Sequence, residues 1–376
     1  MNRVSDKGMI SDMNDEIYIV TGAAGHLGSF VVRELLSAGR QVRALVLPGE
    51  SCPAFIYVNR HLLTEYTGNV CDPASLTQLF GDAPSGRFIV IHCAGIVSIT
   101  KKEDRRVFGV NVGGTANIIE ICERYQALRL VYVSSVHAIP LLPPGTVMRE
   151  VTAFDPENVS GYYAKTKAIA TQLVLDAAGK GLDAVVVHPA GIIGPHGLPT
   201  GNMAQLITLY VRGRLPAAVR GGFDFVDVRD VANGIVAAAR EGQSGECYIL
   251  SNRFVDLKEM FDILSEASGL RKLKLYLPLW LAMGFAPFTE VYYRLARKTP
   301  LFTRYSLKTL SENALFSHDK ASRELSYSAR PLEETLIDTA FWIRNADNSL
   351  KKKRSTKYTL PARRRWFLKK SSKARG

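Results

Sequence analysis

Residues 21–28, Thr-Gly-Ala-Ala-Gly-His-Leu-Gly, place glycines at 22, 25 and 28, after the apolar run EIYIVTG and before the helical pattern LGSFVVRELLSAG. Few local sequences restrict a chain as much. Gly22 permits a tight turn out of a strand, and Gly25 lets backbone amides approach a pyrophosphate. Gly28 allows the following helix to pack closely on that strand, while the helix N-terminus supplies the positive end of its dipole. Such a loop belongs at the first strand–helix connection of a parallel sheet. The downstream pattern agrees. QVRALVL, FIVIHCAG, LRLVYVSS and LDAVVVHP are rich in Val and Ile, as strands buried on both faces are, and helix-length segments such as GGTANIIEICERYQ separate them. Alternation of this kind implies right-handed crossovers and an α/β fold, a doubly wound parallel sheet spanning 16–190.

After Pro189 the order becomes irregular. MAQLITLYVRGR reads as a helix, FDFVDVRDVANGIVAAAR follows it, and ECYILS reads as a strand. Parts of 220–250 are expected to complete the sheet, and 191–345 to form a smaller, mainly helical region covering the substrate. The stretch LYLPLWLAMGFAPFT has fifteen uncharged residues, fewer than the ~20 needed to span a bilayer, and is expected as a buried or substrate-covering helix. Its sharper alternative is an apolar lid touching a membrane surface.

Charge is unevenly placed. The net charge is +13, yet residues 351–376 hold 12 Lys or Arg and no acid, so the remainder carries 36 basic and 35 acidic residues. The body is therefore near neutral, with a basic tail from 346 that is expected to be disordered. That tail can also meet an anionic membrane surface or RNA. Residues 1–15 lack the apolar core of a signal peptide and are expected as a disordered leader. Five cysteines without CxxC spacing argue against a disulfide framework or a metal site, and suggest a reducing, cytoplasmic setting with peripheral membrane contact as an option.

In SGYYAKTKA, residues four apart share a helix face, so Tyr163 pairs with Lys167, whereas Tyr162 would need a lysine at Thr166. Tyr162 and Lys165, three apart, are the alternative pair. Taken with the glycine loop, VYVSS and NVGGTANII, this stretch resembles the extended short-chain dehydrogenase/reductase superfamily of NAD(P)-dependent epimerases, dehydratases and reductases, over roughly 16–345. LFSHDKASRELSYSARPLEETL resembles dihydroflavonol reductase-like and 3β-hydroxysteroid dehydrogenase-like members. The resemblance implies a Rossmann fold and a catalytic group of Ser135, Tyr163 and Lys167 supported by Asn111, with Ser134 as the fallback serine. Lys167 would hold the nicotinamide ribose and lower the phenol's pKa, and Tyr163 would pass a proton to or from the substrate oxygen. His137 can line the pocket, though a histidine beside a loop is more often structural. No metal is implied.

Cofactor contacts are implied at Gly22, Ala24, Gly25, His26, Leu27 and Gly28, and at Asn69 and Val70, where the family usually has an acid at the first position. They are also implied at Cys93, Ala94 and Gly95, and at His188 and Pro189, alongside Tyr163 and Lys167. The cofactor is NAD(P). The second strand ends at Val46 and Leu47 without an acid for the ribose 2'-hydroxyl, Glu50 lies beyond it and Arg43 before its tip, which leans toward NADP(H). The expected activity is ketone–secondary alcohol interconversion on a small, lipophilic substrate. Nucleotide-sugar epimerisation is the alternative, a non-catalytic dinucleotide-binding regulator a further one. A homodimer is expected.

Overall fold

The computed structural model describes residues 16–81, 85–98, 103–197, 202–286 and 303–352. The expected leader, and the tail beyond 352, lie outside them. A seven-stranded sheet forms the centre: β1 (Ile17–Thr21), β2 (Gln41–Val46), β3 (Leu63–Thr67), β4 (Phe88–His92), β5 (Arg129–Val133), β6 (Ala184–Pro189) and, later in the chain, β10 (Cys247–Leu250). Its spatial order is β3, β2, β1, β4, β5, β6, then Cys247–Leu250, with every neighbour pair parallel. The five strands read from apolar runs are all present. β3 is the one that pattern reading passed over, because LTEYT is half polar and lies at the sheet edge with only Leu63 fully buried.

The chain order reverses between β1 and β4, so their carboxyl ends open a crevice, the usual ligand position in such sheets. Helix α1 (His26–Ser37) leaves β1 through the glycine loop and buries Phe30, Val31, Val32, Leu35 and Leu36. Helix α2 (Gly114–Arg124) precedes β5. Helix α3 (Tyr162–Gly179) presents Ala164, Ala168, Ala170 and Ala177 inward, and these small side chains bring its backbone close to the sheet. Helix α4 (Val228–Glu241) packs against α1 on the sheet's other face.

The region after Pro189 holds more strand than expected. β7 (Gly191–Ile193) pairs with β9 (Gly222–Asp227), which also pairs with β11 (Arg253–Asp256); β8 (Ala218–Val219) pairs with β12 (Tyr276–Leu277). The helix Asn202–Val211 expected from the sequence is present, and helices α5 (Leu257–Ser268), α6 (Arg304–Thr309), α7 (Asp319–Leu325) and α8 (Leu332–Lys352) follow later in the chain. Two expectations are corrected. Trp280 and Phe285 of the LYLPLWLAMGF stretch are 72% and 58% exposed, so this helical segment turns its largest side chains outward. Residues 287–289 of the same stretch lie outside the described residues. Helix α8 also runs through 346–352, where the sequence suggested a break, because no Gly or Pro interrupts it there. Among the described residues no helix is long and apolar enough to cross a membrane.

Candidate active site

The glycine loop closes on β4. Gly22 has φ +66°, and a Cβ there would sit 2.8 Å from the Ala94 amide nitrogen, so only glycine fits. A Cβ at Gly28 would collide with the Gly22 carbonyl, which is how α1 approaches β1 so closely. Gly25 occupies the N-cap of α1 with no side-chain cap, leaving the first-turn amides around His26, Leu27 and Gly28 for a ligand. Ala24 and Leu27 are half-buried beside the core. His26 bonds the Pro195 carbonyl at 2.9 Å, fastening the loop to the segment after β7. A dinucleotide fits these features: a cradle that side chains would fill, an uncapped helix start, and a crevice at the sheet's switch point.

A chain of hydrogen bonds holds β1 and β4 in register there. The Ala94 amide donates to Thr21 Oγ1 at 3.2 Å, and Thr21 meets His92 Nδ1 at 2.7 Å. Thr115 gives its hydrogen to the Asn111 carbonyl at 2.7 Å, so His92 Nε2, 3.1 Å away, must be the donor to Thr115. Burial, then the charge of Lys167, pushes His92 down to about 3, keeping it neutral. Asn111 uses its whole amide: Oδ1 accepts from the Ile96 amide at 2.8 Å, and Nδ2 donates to the Ile96 carbonyl at 3.0 Å and to Thr166 Oγ1 at 3.1 Å. It thereby ties the loop after β4 to α3, one residue from Lys167.

Tyr163 and Lys167 are both buried on α3. Lys167 Nζ donates to the Val133 carbonyl at 2.7 Å and to the Tyr132 hydroxyl at 3.2 Å. A Cβ on Gly95 would lie 3.5 Å from that ammonium and 3.4 Å from Asn111 Oδ1, so the exposed Gly95 backbone lies over both. Burial lowers Lys167 to about 8, with Cys93 acting the other way. Burial raises Tyr163 to about 12, opposed by a hydrogen bond with Ser135. The expected lowering of the phenol by Lys167 is therefore absent from this arrangement, because the ammonium is turned to Val133 and Tyr132.

Ser135 is the N-cap of a short turn, and its Oγ accepts from the His137 amide at 3.2 Å. Ser134 is spent elsewhere, its Oγ 2.6 Å from Thr171 Oγ1. Lys165 is ion-paired with Glu157 at 2.8 Å, which removes the alternative pair with Tyr162. Burial pushes the Cys93 thiol up to about 12, so it stays an uncharged filler. Asn69 is exposed and its Oδ1 accepts from the Cys71 amide at 2.9 Å, while Val70 packs on Gly114. His188 is fully buried, bonds the Ser135 carbonyl at 3.0 Å and stacks on Phe154 at 5.1 Å. Through that bond it supports the serine's backbone, and being fully buried it does not wall the crevice; Pro189 ends β6 beside it. Arg43 donates to the Leu79 carbonyl at 2.7 Å and packs over Tyr66 and Phe88, away from the strand tip.

A cavity of about 180 Å³ opens against Tyr163. Val97, Met203, Leu206, Phe223, Phe225 and Leu310 make most of its wall, with His137, Ser98, Tyr305, Ser306 and Thr309 contributing. Tyr305 had no sequence signal, since it lies 142 positions from Tyr163. The chain reaches it through Gly161, at φ +98°, whose missing side chain leaves room for the Tyr305 ring; the Tyr305 hydroxyl donates to the Ser160 carbonyl at 3.0 Å. Among the described residues no cluster of His, Cys, Asp or Glu could hold a metal.

Comparison with known proteins places this arrangement. Residues 18–251 match the NAD dependent epimerase/dehydratase family. Sterol demethylase protein B of Methylococcus capsulatus is 30% identical over 87% of this chain and 98% of its own length. The 3 beta-hydroxysteroid dehydrogenase type 7 of Mus musculus is 31% identical, over 89% and 97%. Among solved structures, that of gox2253 superposes with a TM-score of 0.74 at 29% identity, covering 89% of this chain and 99% of that one. UDP-glucose 4-epimerase of Thermotoga maritima shares the fold, with a TM-score of 0.70 at 21% identity over 88% and 99%.

Proposed function

Because the chain belongs to the NAD dependent epimerase/dehydratase family and is an enzyme of that family, we propose that it interconverts a ketone and a secondary alcohol on a small lipophilic molecule. The observation that carries this reading is the cavity at Tyr163, whose wall is mostly Val, Met, Leu and Phe. A nucleotide-sugar would need several polar partners there, whereas the hydroxyls of Tyr305, Ser306 and Thr309 in this wall already donate to the carbonyls of Ser160, Thr303 and Tyr305. The relatives named as a sterol demethylase protein and a hydroxysteroid dehydrogenase point the same way.

The bound nicotinamide cofactor would supply or accept the hydride. Gly22, Gly25 and the first turn of α1 would receive its pyrophosphate. Lys167, over which the Gly95 backbone passes, would turn to the nicotinamide ribose. Tyr163, held protonated by burial, gives its hydroxyl proton to the substrate oxygen in reduction and takes it back in oxidation. Ser135, close enough to lower that phenol's pKa against its burial, holds the same oxygen. NADP(H) is the favoured form, since β2 ends at Val46 and the next residue is the exposed Leu47 rather than a carboxylate. A panel of lipophilic ketones, their alcohols and nucleotide sugars, followed by NAD(P)H absorbance with both cofactors, tests the reading. Turnover of the ketones with NADPH supports it; turnover confined to nucleotide sugars overturns it.

A further inference from the structure

We propose that His137 forms a polar subsite in the largely apolar cavity, binding a neutral hydroxyl or carbonyl oxygen that the substrate carries beside its reacting carbon. The subsite deepens the ketone–alcohol reading and rests on it. Its position follows from the serine next door: Ser135 caps the short turn, accepts from the His137 amide, and so fixes where the imidazole emerges. The ring stacks on Phe223 at 5.4 Å and 24°, and meets Tyr163 edge-on at 6.1 Å and 74°. Contacts on the ring's faces and edge set its plane but do not satisfy its nitrogens.

Three other histidines around the crevice each hold at least one ring hydrogen bond, though His188 Nε2 is sealed without a partner. His26 bonds Pro195, His92 bridges Thr21 and Thr115, and His188 bonds Ser135. Among the described residues His137 has no ring hydrogen bond, and burial alone lowers it, to about 4. Nor are its nitrogens among the sealed, unpaired atoms, so they face open space; the residue borders both the cavity at Tyr163 and a smaller hollow beside Glu312 and Asn313, and the edge-on approach to Tyr163 favours the former. Leaving such a group unpaired against a greasy wall is unfavourable, and a ligand oxygen relieves it. The ring is neutral near pH 7 and offers one donor and one acceptor. That suits a hydroxyl or carbonyl, whereas a carboxylate or phosphate would find no charge to pair with.

The test uses the full chain with a medium-chain methyl ketone and the same ketone bearing a β-hydroxyl group. Both are measured by NADPH-linked kcat/KM and, in the presence of NADP+, by calorimetric Kd. The wild type should prefer the hydroxylated ketone by roughly tenfold to hundredfold. His137→Phe, which keeps the stacking, should erase that preference mainly through KM, and His137→Asn, which keeps a donor and an acceptor, should restore part of it. Cofactor Kd should be unchanged in both; if the Phe variant does not fold, the Asn variant compared with His137→Leu decides. No preference in the wild type, including no measurable binding of either compound, overturns the subsite, as does a preference that survives in His137→Phe. Preferential binding without turnover supports the subsite while refuting the hydride-transfer reading, so the two claims fail separately.

Discussion

Lys167 keeps an ammonium 5% exposed between the Val133 carbonyl and the Tyr132 hydroxyl. Burial takes it from its ordinary 10.5 to about 8, so between those values the folded chain binds fewer protons than the unfolded one. Stability therefore rises with pH across that interval, and below about 8 the buried charge is a standing cost. Lys167→Met should gain about 1 to 3 kcal/mol at pH 7 and lose the pH 8–10 rise in Tm, while turnover disappears. Thermal melts against pH check this; a lower Tm for the variant at pH 7 would mean that the ammonium's bonds outweigh its desolvation. The same group sets the activity profile. Tyr163, pushed up to about 12, stays protonated throughout, so kcat/KM for ketone reduction should fall above about pH 8 as Lys167 loses its proton. A profile flat to pH 10 would remove Lys167 from the reaction.

At the scale of elements, α3 receives the substrate-side helix α6 through one glycine. Gly161→Ala would strain a backbone at φ +98° and drive a methyl into the Tyr305 ring, so α6 must shift from the cavity wall. We expect a loss of about 1 to 3 kcal/mol and a KM raised at least tenfold with cofactor Kd unchanged, read by denaturant melts and steady-state kinetics. Tyr305→Phe, which keeps the ring but loses the bond to Ser160, should cost less. These contacts also mark how far the sequence could be read. The glycine loop and the Tyr163–Lys167 spacing were legible because both are local: one turn and one helix face suffice to place them. The Asn111 bridge, the His92 proton chain and Tyr305 join residues 15 to 145 positions apart, and spacing says nothing about such meetings. β3 escaped for a related reason, since an edge strand needs no continuous apolar run to announce it. The expectation of burial for the LYLPLWLAMGF stretch came from composition, which reports that a segment is greasy but not which way it faces.

Across the whole molecule, a seven-stranded sheet brings two loops, after β1 and β4, to one crevice, and the chain after Pro189 builds an apolar wall opposite Tyr163. The glycine-loop end is thus made before Pro189, while the cavity joins Val97, Ser98, His137 and Tyr163 to residues from after it, which is how one fold serves many substrates. Among the described residues no side chain beyond Leu310 lines that wall, so removing the basic residues 353–376 should leave kcat/KM unchanged within about twofold, as a comparison of truncated and full-length chains by NADPH absorbance would show. The central claim, that Tyr163 serves a hydride transfer to a lipophilic ketone, is tested most directly by isotope. Incubating the chain with NADPH deuterated at both C4 positions of the nicotinamide and a lipophilic ketone should place deuterium on the carbinol carbon of the alcohol, and Tyr163→Phe should reduce that label at least a thousandfold while binding the cofactor as before. Alcohol without deuterium, or undiminished label from Tyr163→Phe, would contradict it.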